Sequence, residues 1–181
     1  MKNNRIYIIG ASGSGKTTLA KALAVKLAIP QFDSDDYFHY LTDPPYQKQR
    51  SPEDRAYLLS RDLKPNASWV LSGGAGTWQP AVDFDPTLVV FLYLSPEIRL
   101  SRLKERENKL YGARLTPGGD MEEKHKEFLV WTCGYDDGTA EGTNTLPAHE
   151  TYLSKIQSPL RLETPLTTEE QVHLVLRELA R

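Results

Sequence analysis

Near the N-terminus, Gly10-Ala11-Ser12-Gly13-Ser14-Gly15-Lys16-Thr17 has the residue types and spacing G-x-x-x-x-G-K-[ST] of a phosphate-binding loop. Glycines let such a backbone curl into a nest whose N–H groups point at phosphate oxygens. Lys16 adds a cation that reaches β- and γ-phosphates, and the Thr17 hydroxyl is a ligand for Mg²⁺. The phosphate-binding set read here is Gly10, Ser12, Gly13, Ser14, Gly15, Lys16, Thr17 and Thr18.

Phosphate chemistry at such a loop also needs a carboxylate near the metal. The third and fourth strand-like runs end in Ser72-Gly73 and Ser95, so neither supplies it. The second run does, in Gln31-Phe32-Asp33-Ser34-Asp35-Asp36. Alternation puts Asp33 and Asp35 on one side of the chain. One can serve Mg²⁺ and the other can take the proton of an attacking hydroxyl, with the two roles interchangeable at this stage. Thr17 and Asp33 form the candidate metal pair. The competing reading makes these acids a turn and a helix cap only.

Cations come from Arg99, Arg102 and Arg106, which share a helical face, with Arg114 beyond them. Arginines aimed at equatorial phosphate oxygens stabilise the charge that spreads there during transfer. The competing reading is a solvated basic face neutralised by Glu97, Glu105 and Glu107. On the acceptor side lie Gly73 and Gly74, which let a ligand approach backbone, and Arg50, Arg55 or Arg61, which can hold an anion. Trp78, Tyr37, Tyr40 and Tyr46 are candidate pocket walls, with ordinary core or surface packing the reading favoured for any single one. The four histidines show no metal-ligand spacing.

The elements that must position these groups can be read from periodicity. Strand-like runs occupy 5–10, 30–33, 68–72, 87–94 and 159–163. Helical patterns cover 15–28, 52–63, 96–108, 121–135, 148–156 and 168–180. Asp120 with Glu123, and Thr167 with Glu170, read as capping boxes. The alternation predicts a single α/β domain over 1–181, a three-layer sandwich on a parallel sheet. Two connections rich in Pro, Gly or aromatic residues are expected to act at the site: a lid at 109–120 and an acceptor-binding loop at 37–51. The segment 74–81 is expected to fold over the same crevice.

With 181 residues, a net charge of −2 and one cysteine, the composition speaks against a broad nucleic-acid footprint and an intrachain disulfide. No run reads as a leader or a membrane span, so a cytoplasmic monomer or homodimer acting on a small molecule is expected.

These motifs together resemble the P-loop kinases of nucleotides and small molecules, the adenylate-kinase-like and shikimate-kinase-like group. Arg102-Leu103-Lys104-Glu105-Arg106 is similar to the lid-entrance arginine pair of adenylate kinases. There the first arginine binds ATP and the second contacts the transferring phosphate. Phe32-Asp33-Ser34-Asp35 resembles the Asp-x-Asp of shikimate kinases, and Gly73-Gly74 their acceptor glycine run. The Asp-Gly-[Phe/Tyr]-Pro-Arg stretch of adenylate kinases is replaced here by Ser72-Gly73-Gly74-Ala75-Gly76. The resemblance implies a P-loop NTPase fold with a five-stranded parallel sheet and a small lid. It implies ATP and Mg²⁺ as cofactors. Lys16, Asp33, Asp35, Arg102 and Arg106 would then be catalytic, and Arg102 and Arg114 would join the nucleotide-binding set. Asp35, Arg55, Gly73 and Gly74 would meet the acceptor. The expected activity is transfer of the γ-phosphate to a hydroxyl- or phosphate-bearing small molecule. The alternatives are a strict nucleoside-monophosphate kinase and a nucleotide-dependent switch acting on DNA or a partner protein.

Overall fold

A computed structural model describes residues 3–78, 81–82 and 84–181, so part of the expected 74–81 segment lies outside the described residues. Five strands, β1 (Arg5–Gly10), β2 (Gln31–Asp33), β3 (Trp69–Ser72), β4 (Leu88–Leu92) and β5 (Leu160–Leu162), form one sheet in the order β2-β3-β1-β4-β5. All its pairings are parallel. The helices are α1 (Lys16–Leu27), α2 (Ser34–Phe38), α3 (Pro52–Leu63), α4 (Pro96–Tyr111), α5 (Glu122–Cys133), α6 (Leu146–Leu153) and α7 (Thr168–Leu179).

Strand alternation divides the core in two. Ile6, Ile8, Val70, Val90 and Leu92 face one side, where they pack with Leu19 and Leu23 of α1 and Val175 of α7. Tyr7, Ile9, Leu71, Val89 and Phe91 face the other, against Leu59 and Leu63 of α3 and Leu153 of α6. β1 and β4 are covered on both faces, which is why they read as unbroken apolar runs. The result is the three-layer α/β sandwich expected from the alternation. No helix among the described residues is long and apolar enough to cross a membrane.

Helix boundaries follow their caps. Ser51 accepts from Asp54 N at 3.0 Å and Pro52 opens α3, so its predicted span holds. The Thr167–Glu170 capping box forms at α7. The box expected from Asp120 and Glu123 does not form. Arg114 engages the Asp120 carboxylate through Nε at 2.9 Å and Nη2 at 2.7 Å, so α5 starts after Met121 with no side-chain cap. α6 begins at Leu146 rather than 148 because Thr145 caps it and Pro147 suits its first turn. α4 continues to Tyr111, where Gly112 at φ +48° ends it. The short α2 was not foreseen; five residues are too few to show a helical period.

Candidate functional site

The carboxyl ends of β1, β2 and β3 converge on the loop between β1 and α1. At Gly10 the backbone has φ +144°, and a Cβ would lie 2.2 Å from Leu92 O. Only glycine allows the chain to leave β1 this close to β4. Gly13 and Gly15 also have positive φ. Gly15 stands at the N-cap of α1 without a side-chain cap, so the helix presents its first N–H groups to the loop. Ser14 Oγ is buried with no hydrogen-bond partner. Lys16 folds back over the loop and donates from Nζ to Ala11 O at 2.8 Å. Burial pulls its ammonium below the ordinary lysine range, and Asp35 and Asp33 act against that. Ser12 is partly exposed, and Thr18 is exposed at the start of α1.

Asp33 links this loop to the sheet. Its Oδ2 accepts from Thr17 Oγ1 at 2.7 Å and from Ser72 Oγ at 3.0 Å. Its Oδ1 accepts from Asp35 N at 3.2 Å, so Asp33 is also the N-cap of α2. The cap reading therefore holds for Oδ1, and Oδ2 is turned to the Thr17 and Ser72 hydroxyls. Asp35 opens to solvent but sits in the cleft beside Asp33. Desolvation first, then Asp33, raises its carboxyl above the usual range, while Lys16 opposes. A Thr hydroxyl and a carboxylate at the mouth of a glycine nest are hard oxygen donors of the kind Mg²⁺ takes. The unpartnered Ser14 hydroxyl and the free α1 N–H groups suit phosphate oxygens. The donor set thus fits Mg-ATP.

The three arginines of α4 have different surroundings. Arg102 is exposed, with Nη1 4.0 Å from where a Gly15 Cβ would stand, over the mouth of the loop. Arg106 is exposed and donates from Nη2 to Glu107 Oε1 at 2.8 Å. Arg99 does not share the open face expected of it. Its side chain is buried, donates from Nε to Leu94 O at 2.9 Å, pairs with Asp136 and lies over the Tyr135 ring. Its backbone packs against Gly13. Arg114, in the 3-10 turn Gly112–Leu115, pairs with Asp120 and, at 2.7 Å, with Asp43 of the 37–51 loop.

On the acceptor side, Gly73 has φ +109°, and a Cβ there would fall 1.9 Å from Ser34 Oγ. Ser34 Oγ accepts from Gly74 N at 2.8 Å. From below, the Tyr7 hydroxyl donates to Gly73 O at 2.9 Å and accepts from Gly76 N at 2.7 Å. Arg55 lies over the Phe38 ring at 4.0 Å and the Trp78 ring at 5.6 Å. Arg50 is occupied by the carbonyls of Asp36, Tyr37 and His39, and Arg61 by Asp62. Tyr37 is buried and donates to Asp62 Oδ2 at 3.0 Å, so it is a packing residue rather than a pocket wall. The 37–51 loop doubles back through a His39–Gln49 bridge and brings Tyr46 close enough to Asp35 and Arg106 for their charges to act on its hydroxyl. The sequence reading places Ser72 at the crevice but gives it no partner, and it assigns Ser34 and Tyr7 no part in the site. Only Ser72 carried a signal, as the carboxyl end of a strand in register with Asp33.

A family model for an AAA domain matches residues 6–127. Uncharacterized protein YqaC of Bacillus subtilis (strain 168) is 38% identical over 181 residues, spanning 99% of this chain and 99% of its own. The shikimate kinase of Enterococcus faecalis (strain ATCC 700802 / V583) is 28% identical over 115 residues, 55% of this chain and 65% of its own. Among solved structures, shikimate kinase from Acinetobacter baumannii in complex with shikimate aligns at a TM-score of 0.55 and 19% identity, covering 99% of this chain and 94% of that one. The match over residues 6–127 shows that the chain belongs to the AAA-domain family, and its fold is that of the P-loop kinases.

Proposed function

We propose that this chain is a Mg-ATP-dependent phosphotransferase that moves the γ-phosphate to a small hydroxyl- or phosphate-bearing acceptor. The observation that carries the reading is the Thr17–Asp33 contact of 2.7 Å at the mouth of the glycine loop, with Asp35 two residues further into the cleft. Bound Mg-ATP supplies the γ-phosphoryl group and the divalent charge that shields it. The loop N–H groups of 10–18 and the Ser12 and Ser14 hydroxyls hold phosphate oxygens, and Lys16 exchanges the Ala11 carbonyl for them. Thr17 and Asp33 hold the metal side. Asp35, whose raised carboxyl suits a base, takes the proton of the acceptor hydroxyl as its oxygen attacks the γ-phosphorus and the bond to ADP breaks. Arg102 and Arg106 meet the charge on the transferred group, and Arg114 joins them by exchanging its carboxylates for phosphate. Gly73, Gly74 and Arg55 hold the acceptor. Closure of 109–120 keeps water, the competing acceptor, out. The ATP supply for such a reaction is cytoplasmic.

The test is ADP release from Mg-ATP against nucleoside monophosphates, nucleosides, shikimate, gluconate and related polyols, with Lys16→Ala as the blank. A large rise with one acceptor, lost in the variant, is expected. Wild-type turnover in a folded Lys16→Ala protein would refute the mechanism.

A further inference from the structure

We infer that Glu107 is a positioning residue that aims Arg106 at the γ-phosphate from behind, with α5 as its backing. The inference rests on the proposed role of Arg106 in phosphoryl transfer.

Neighbouring residues on a helix point about 100° apart and do not ordinarily face each other. Arg106 nevertheless folds back onto Glu107, Nη2 to Oε1 at 2.8 Å. The two side chains differ sharply in setting: 7% of Glu107 is exposed against 51% of Arg106. The acid is therefore inside the α4–α5 contact and the guanidinium is at its opening. A buried carboxylate needs a cation or hydrogen-bond donors. The other oxygen, Oε2, faces His125 Nδ1 of α5 at 3.8 Å, too far for a hydrogen bond. That nitrogen is itself buried without a partner. Arg106 thus supplies the hydrogen bond that Glu107 receives in this contact, which ties the direction of one to the burial of the other.

α5 contributes a second contact. Phe128 lies near the guanidinium, 5.8 Å from ring centroid to Cζ. Carboxylate on one side and ring on another leave the arginine a restricted arc. Arg106 lies one turn beyond Arg102, which overhangs the glycine loop, so that arc is on the side of α4 that carries the loop mouth. The bond to Glu107 uses one of the five guanidinium N–H donors. An arginine ordered before the nucleotide arrives loses less rotamer freedom on meeting the phosphate. Glu107 looked in the sequence like one of several exposed acids neutralising a basic face; its burial separates it from them.

The test uses the full chain and fluorescent N-methylanthraniloyl-ATP and -ADP, with affinity ratios read by titration and folding read by thermal melting. Because Arg106 is assigned to the γ-phosphate, Arg106→Ala should lower the preference for the triphosphate about tenfold, with diphosphate affinity nearly unchanged. Glu107→Gln, which keeps the shape and loses the charge, should lower it about threefold to tenfold. The double variant should be no worse than Arg106→Ala alone, because the acid acts through the arginine. Phe128→Leu leaves Glu107 untouched and should lower the preference about twofold, which keeps the inference testable if Glu107→Gln does not fold. An unchanged ratio in folded Glu107→Gln, or losses that multiply in the double variant, would overturn the positioning role alone. A wild-type chain that binds neither nucleotide would overturn the phosphotransferase reading and this inference with it.

Discussion

Lowering the pH from 7 to 5 is expected to remove about 2 kcal/mol of stability through His149 alone. This histidine of α6 is buried against Phe91, and its Nδ1 shares a hydrogen bond of 2.8 Å with the Tyr135 hydroxyl. Burial first, and then the Lys16 charge, lower its pKa from 6.5 to about 4, while Glu150 pulls the other way. The folded chain therefore holds the ring neutral where the unfolded chain protonates it. Below pH 6.5 the unfolded state binds more protons, so stability rises with pH and falls on acidification. At about 1.4 kcal/mol per pKa unit, the full difference is about 3 kcal/mol, reached below pH 4. Between pH 7 and pH 5 a little over half of it is expressed, which gives the figure of about 2 kcal/mol. His149→Asn keeps a polar atom near Tyr135 and does not titrate. It lowers stability at pH 7 but should flatten the dependence. Urea unfolding of both proteins at the two pH values gives the difference directly, and carboxylates common to both cancel. Equal losses in wild type and variant would refute the buried neutral ring.

Arg99→Ala should cost about 3 kcal/mol in urea unfolding, because it empties a buried site and leaves Asp136 with the Tyr93 hydroxyl but no cation. Its effect on nucleotide affinity should be small, and a large one with intact stability would return Arg99 to the phosphate site. Gly73→Ala should cost about 1–3 kcal/mol, from positive φ and a 1.9 Å approach to Ser34, whereas Gly74→Ala, with open space at its Cβ, should stay within about 0.5 kcal/mol. Similar melting temperatures for the two would contradict this. Asp33→Asn should raise the Mg²⁺ concentration needed for half-maximal ATP binding at least about tenfold while the fold persists. An unchanged Mg²⁺ dependence would remove Asp33 from the metal side.

The sheet and the loop were legible because their signals are local. β1 and β4 are buried on both faces, so their sequences are apolar throughout, and the glycine loop joins a strand to a helix within a few residues. What was lost was set by distant partners. Asp120 looks like a helix cap until Arg114 takes its carboxylate. α2 has no period of its own and exists because Asp33, already held by Thr17 and Ser72, has an oxygen left to cap it. Tyr7 reads as one more apolar residue of β1, yet its hydroxyl bridges Gly73 and Gly76, the first of these a contact between residues 66 apart.

The arginines of α4 show most clearly where spacing stops being informative. Arg99, Arg102 and Arg106 lie three and four positions apart and so share a helical face, on which periodicity treats them alike. One side of α4 stays buried along its length, however, through Arg99, Leu103 and Glu107 four positions apart, and Arg102 and Arg106 stand at the edge of that side. Arg99, in the first turn, is beside β4 and the 136 loop, where a charge survives only with Asp136 and the Leu94 carbonyl. Arg102, one turn on, is exposed and overhangs the glycine loop, while Leu103 beside it stays buried. Arg106 stands where α5 has joined the helix, and its neighbour Glu107 turns inward. Angular position around the helix, finer than a shared face, separates their surroundings: Arg99 lines up with Leu103 and Glu107, and the other two do not. Arg99 packs under Gly13, and Arg102 and Arg106, at the exposed edge, are the pair proposed to meet phosphate.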